Sequence, residues 1–293
     1  MNSLKLIYTK CLLCLCLLTL QVYNAHAQLD TLVFTTSYFK THKVRTLQIT
    51  PQLKRDNERI INRNQVYNYV LDTLGRIVQK RVFTSIVGAN IKDTSITHYG
   101  YDRLGRLYMQ RNFDHHTITT QYTMYNANSN NQKIVTVLET IDTNVFPIKV
   151  LTQQPTDSSF IKNETVGANS VRSTYYNSYR LPYFSLTTEA LPNSVTYTKE
   201  FNVTSLFEKY TIQRLTNKIE ATLETSNSNG YNDIKTIYTY EGEQLKQQIV
   251  FVNNTQDRER FLFYENELIV NEITKYSAHK NMDIVKYEYQ FYK

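Results

Sequence analysis

The chain has 293 residues, a formal net charge of +7, 24 Tyr and 13 Phe, but no Trp and only 7 Gly and 5 Pro. Its cations are scattered and no block of like charge occurs, which removes the basis for binding nucleic acid through a basic patch. The abundance of β-branched and aromatic side chains excludes a helical protein and fits pleated, half-buried sheet surfaces.

Residues 1–27 read as a cleaved secretory signal peptide. Lys5 and Lys10 precede an apolar run from Cys11 to Leu20, and Ala25-His26-Ala27 closes the segment as a small-x-small site, so Gln28 is the expected mature N-terminus. An apolar run of about ten residues at 1.5 Å rise is too short for a hydrocarbon core of about 30 Å, so no retained transmembrane helix is expected. Cys14 and Cys16 each follow leucine rather than a small residue, which disfavours lipid anchoring. All three cysteines leave with residues 1–27, and residues 28–293 must hold together by packing alone as a single domain in the periplasm, at the cell surface or outside the cell.

Only Leu53 to Asn62 tolerates helix in the mature chain. An internal repeat follows it. Val66–Phe83 (VYNYVLDTLGRIVQKRVF) and Ile96–Phe113 (ITHYGYDRLGRLYMQRNF) match without gaps, sharing Tyr69/Tyr99, Asp72/Asp102, Leu74/Leu104, Gly75/Gly105, Arg76/Arg106, Arg81/Arg111 and Phe83/Phe113. Alternation on both sides of the shared word predicts two strands joined by a tight turn. The aspartate accepts hydrogen bonds from turn amides, the glycine supplies the positive φ of a type I turn with a G1 bulge, and the arginine stem lies over a tyrosine ring.

The same grammar returns at Ile237–Ile249 and Phe261–Ile273, where Gly242 and Asn266 stand at the positions of cheapest positive φ. Tyr122–Asn128, Tyr175–Pro182 and Tyr197–Leu206 read as degenerate copies. The expectation is an all-β fold of about six or seven antiparallel β-hairpin repeats, forming one continuous curved sheet or cage-like domain.

Tyr99-Gly-Tyr101-Asp102-Arg-Leu-Gly105-Arg106-Leu107 and Tyr69-Val-Leu-Asp72-Thr-Leu-Gly75-Arg76-Ile77 resemble the YD (Rhs-type) repeat, and the Tyr240-Glu-Gly242-Glu and Tyr264-Glu-Asn266-Glu words resemble the looser YD-like repeats of short secreted proteins from Bacteroidetes-type bacteria. The resemblance implies stacked antiparallel hairpins without catalytic residues of their own. The toxin-enclosing role of large members does not transfer to a chain of this length.

Candidate chemistry is sparse. Asp114-His115-His116 reads as a hairpin tip rather than a metal site, because adjacent strand histidines point to opposite faces. Ser95, His98 and Asp102 lack a nucleophile elbow. Glu241/Glu243 and Glu265/Glu267 read as solvated turn charges rather than a glycosidase pair. No catalytic residue, metal ligand or cofactor is therefore assigned. Tyr67, Tyr69, Tyr99 and Tyr101 are the candidate binding residues: each pair puts two rings on one side of a strand, where they stack on a glycan or an envelope protein if exposed, the commoner role of such pairs being core or cross-strand packing with the hydroxyl at the rim. The functional expectation is an exported, non-catalytic binding or structural module of the envelope or extracellular space. An outer-membrane β-barrel and a carbohydrate-active enzyme are the alternatives.

Overall fold

The computed structural model describes residues 34–85, 92–114, 117–126, 131–142, 149–215, 218–226 and 232–293. The expected signal peptide, residues 1–27, and His115-His116 lie outside these residues.

The described chain opens with a short helix, α1 (Thr36–Thr41), whose N-cap Thr35 accepts from the Tyr38 amide. The strands follow: β1 (Val44–Lys54), β2 (Ile61–Asn62), β3 (Gln65–Leu71), β4 (Ile77–Ser85), β5 (Lys92–Tyr101), β6 (Leu107–Asp114), β7 (Thr117–Tyr125), β8 (Gln132–Asp142), β9 (Lys149–Gly167) and β10 (Ser170–Tyr176). The second half comprises β11 (Pro182–Leu191), β12 (Ser194–Phe201), β13 (Phe207–Leu215), β14 (Lys218–Ser226), β15 (Asn232–Glu241), β16 (Gln244–Val252), β17 (Thr255–Glu265), β18 (Leu268–Tyr276) and β19 (His279–Phe291).

From β3 onward every strand pairs antiparallel with the next. β1 pairs with β3 on one edge (Thr46 with Val70 to Ile49 with Tyr67) and with β19 on the other (Val44 with Phe291 to Lys54 with Met282). The wall is therefore a closed barrel of 18 strands, with β2 as one extra strand laid against Gln52 and Leu53 of β1. Closure leaves no sheet edge running the length of the wall, the usual liability of an open antiparallel sheet.

The all-β expectation holds, and two details of it change. Leu53–Asn62 forms no helix: Leu53 and Lys54 finish β1, and Ile61–Asn62 pairs back onto that strand. The helix sits instead at Thr36–Thr41, where an N-cap threonine and burial of Phe39 stabilise a turn and a half that carries little periodic signal. The barrel also holds more strands than six or seven hairpins supply, because degenerate copies without a glycine still pair through their neighbours.

The main core lies on one face. Phe34 and Phe39 pack with Val44, Leu47, Ile49, Tyr69, Leu71, Leu245, Leu262, Ile269 and Tyr287. Phe34 and Tyr38 reach β19, Tyr38 reaches β18, and Phe39 backs onto the β3–β4 turn. A six-residue helix is only about 9 Å long, so contacts spread over so many adjacent staves require a wall that curves around it. This face is the inner one. Leu47, Tyr69, Lys80, Thr97, Tyr99 and Gln110 follow one another along it by register, and Thr46, Gln48, Arg81 and His98 take the outer one.

Candidate binding surface

Both copies of the repeat word build the same turn. In the first, the Gly75 amide donates to the Asp72 carbonyl and the Asp72 amide to the Arg76 carbonyl, each at 2.9 Å. Asp72 Oδ1 accepts from the Leu74 and Arg76 amides at 3.0 and 2.9 Å, and Oδ2 accepts from Arg76 Nε at 2.8 Å. Asp102, Leu104 and Arg106 repeat this pattern at 2.8–2.9 Å. Gly75 and Gly105 take φ of 78° and 79°, as the G1 bulge requires. Asn177 serves a third, degenerate copy, accepting from Tyr179 and Leu181 amides while Arg180 occupies the positive-φ position at 62°.

Desolvation alone would raise the Asp102 carboxyl. The Arg106 amide and guanidinium and the Leu104 amide outweigh it and hold the group below its ordinary 3.8. On α1, burial pushes the Tyr38 hydroxyl above its ordinary range, so it stays protonated between the Tyr289 hydroxyl and the Ile269 amide.

Arg76 Cζ stands 4.6 Å from the Tyr101 ring centroid and Arg106 Cζ 4.2 Å from that of Tyr125. The tyrosine hydroxyls go elsewhere. Tyr101 donates to the Ile77 carbonyl, Tyr125 to Leu107, Tyr264 to Leu245 and Tyr289 to Ile269, all at 2.7–2.9 Å. Each acceptor is the residue where the register shifts at the start of a return strand. A bulge leaves a carbonyl outside the ladder, and the next hairpin's tyrosine satisfies it.

Tyr67, Tyr69, Tyr99 and Tyr101 therefore do lie together, on the inner wall of β3 and β5. They are not an open stacking ladder. Tyr69 is 3% exposed within the core, Lys80 Nζ stands 5.7 and 5.9 Å from the Tyr67 and Tyr69 centroids, and Tyr101 is held between Arg76 and the Ile77 carbonyl. Ser95 and His98 sit on opposite faces, with His98 bonded to Gln79 and Asp102 spent in its turn, so the structure does not assemble those three residues. Glu241 and Glu243 lie at the β15–β16 turn and pair with Lys246 and Lys218. Among the described residues no group of His, Cys, Asp or Glu is placed to hold a metal.

Two features escaped the sequence. One is a cluster on the outer face of β6–β9, where the fully buried Glu139 carboxylate accepts from Arg111, Thr120, Tyr122 and Gln153 at 2.6–3.0 Å. The other is a cleft of about 290 Å³ at the barrel end that carries α1, lined by Phe34, Thr36, Phe39, Gly75, Arg76, Ile77, Tyr101 and Gly105. Residues as far apart as Phe34 and Gly105 make that cleft, and only the shared glycines hint at it.

No family model and no curated protein matches the chain. Among solved structures it is similar to a porin-like protein from Bacteroides uniformis, covering 84% of this chain and 98% of that one at 8% identity and a TM-score of 0.38. It is also similar to a porin-like protein from Bacteroides vulgatus (72% and 97% covered, 9% identity, TM-score 0.32) and to TcdB2-TccC3 (80% and 15% covered, 13% identity, TM-score 0.23).

Proposed function

We propose that the protein is an exported, non-catalytic β-barrel that works at the bacterial outer membrane, rather than an open hairpin-repeat scaffold. Closure of the wall by β1 and β19 is the observation that carries this reading. A sheet without edges suits a bilayer, where every backbone group needs a partner within the wall. Most strands run 8 to 11 residues, and about 9–11 tilted residues cross a hydrocarbon core. Along β14–β19 the outward residues include Leu223, Ile237, Ile249, Phe251, Phe261, Phe263, Ile273 and Ile284, interleaved with Lys235, Gln247, Glu259 and Lys275, so apolar side chains form much of the surface offered to lipid or to an apolar partner. The word residues that stand out in the sequence are taken up by turns, bulges and ring packing, which supports a role without intrinsic catalysis.

A second reading, a barrel surrounded by water in the periplasm or medium, is favoured by a different sector. There β1 turns Thr46, Gln48, Thr50 and Gln52 outward and β19 turns Lys286 and Glu288 outward. A lysine at the bilayer midplane of such a wall costs about 2–4 kcal/mol.

Fractionation of cells expressing the full chain separates the two. The outer-membrane reading expects the protein in the membrane pellet, resistant to alkaline carbonate and released by detergent, with no turnover on polysaccharide, peptide and ester panels. Recovery in periplasm or medium without detergent overturns it in favour of the second. Reproducible turnover abolished by one carboxylate or histidine substitution overturns the non-catalytic part.

A further inference from the structure

The two complete copies of the repeat word belong to neighbouring hairpins, and the cleft at the barrel end is what they make together. Gly75, Arg76 and Ile77 of the first copy form one jaw, Tyr101 and Gly105 of the second form the other, and Phe34, Thr36 and Phe39 close the back. The later hairpins, which lack the full word, line no part of it.

Inside the cleft the polar groups are unequally used. Arg76 commits Nε and Nη2 to Asp72 Oδ2, at 2.8 and 2.7 Å. Its Nη1 has no hydrogen-bond partner among the described residues and lies 3.7 Å from the position a Cβ on Gly105 would occupy, so it faces the opposite jaw. The edges of the core rings Phe34 and Phe39 and the Arg76-capped Tyr101 give the cleft an apolar lining, and the segments that build it add the exposed cations Lys40 and Arg103. The volume lies at the small end of ligand sites, which run from about 300 to 1,000 Å³, and suits one ring rather than a polymer. With Nε and Nη2 already on Asp72, Nη1 offers one charge-assisted hydrogen bond to an anion such as a carboxylate, and the apolar lining beside it suits the ring that bears the anion.

We propose that this cleft binds a six-membered ring carrying a carboxylate, supplied either by an acidic sugar unit or by an aromatic acid. The site goes beyond the outer-membrane reading and does not depend on it, since a barrel in water presents the same cleft. The test exploits the repeat. Arg106 makes the same turn contacts to Asp102 and covers Tyr125 as Arg76 covers Tyr101, yet it lies outside the cleft. Arg76→Lys and Arg106→Lys therefore disturb stability in parallel while only one alters the site.

Calorimetric titration of the folded full-length mature chain with galacturonate, benzoate and, as a neutral control, glucose reads the outcome. The expected result is saturable binding of at least one carboxylate and none of glucose. Arg76→Lys should weaken that binding about tenfold or more, and Arg106→Lys less than twofold. Whether galacturonate or benzoate binds identifies the source. Binding of neither acid, equal binding of glucose, or equal weakening by both substitutions overturns the proposal.

Discussion

The Tyr101 hydroxyl donates to the Ile77 carbonyl at 2.9 Å, tying the end of one hairpin to the bulge of the hairpin before it. The same stitch recurs between Tyr125 and Leu107, Tyr264 and Leu245, and Tyr289 and Ile269, and a Tyr292 hydroxyl on the Leu71 carbonyl adds a related tie across the seam. The repeat thus needs tyrosine rather than phenylalanine, because the hydroxyl satisfies a carbonyl that the bulge has removed from the ladder. Tyr101→Phe should cost about 0.5–1.5 kcal/mol in denaturant unfolding, and Tyr125→Phe the same. Tyr108, 41% exposed and without a hydroxyl partner among the described residues, is the control, and Tyr108→Phe should be silent.

Gly75 and Gly105 share a backbone conformation but not surroundings. An Ala at either meets the strain of φ near +79°, about 1 kcal/mol. At Gly75 the added methyl also overlaps the Thr36 carbonyl and the Lys40 amide of α1, whereas at Gly105 it meets only Arg76 at 3.7 Å. Gly75→Ala should therefore lower the melting temperature more than Gly105→Ala and loosen α1, seen as faster hydrogen exchange at the Phe39 and His42 amides. Equal losses without that change would mean the helix does not rest on this turn.

Arg180 stands where the better copies hold glycine, at φ 62°. Arg180→Gly should raise stability by about 1 kcal/mol, less the small contribution of its guanidinium 5.8 Å from the Phe160 ring. Comparison of denaturant midpoints, with m unchanged, checks the sign.

Asp102 titrates below 3.8 when folded, held down by Arg106 and Leu104 donors. A carboxyl depressed on folding contributes stability above its unfolded value, and that contribution is lost as pH falls through the folded one. Carbon-detected NMR should place its midpoint under 3.8, and Arg106→Ala should move it upward. An unmoved midpoint would mean the guanidinium is not what holds it.

The hairpin turns were legible because their causes are local. Asp72, Gly75 and Arg76 lie within five residues, and each satisfies a requirement of the turn itself, so Asp102, Gly105 and Arg106 could be read by the same rule. Asn177 and Arg180 show where this legibility fades: the side-chain acceptor survives as asparagine, but the glycine is gone and the turn forms anyway because strands on both sides hold it. The cleft was hidden for the opposite reason, since Phe34, Arg76 and Gly105 meet only after α1 docks.

By itself the sequence determined an all-β chain, the position of its best hairpins and the conformations of Gly75, Gly105, Gly242 and Asn266, because periodicity and positive φ act over a few residues. Only the tertiary structure decided that Val44 meets Phe291, that the tyrosine face turns inward and that Tyr69 is core rather than binding surface. A strand pattern has two faces and two edges, and nothing within it says which face a closed wall will enclose or which distant strand will take the last edge.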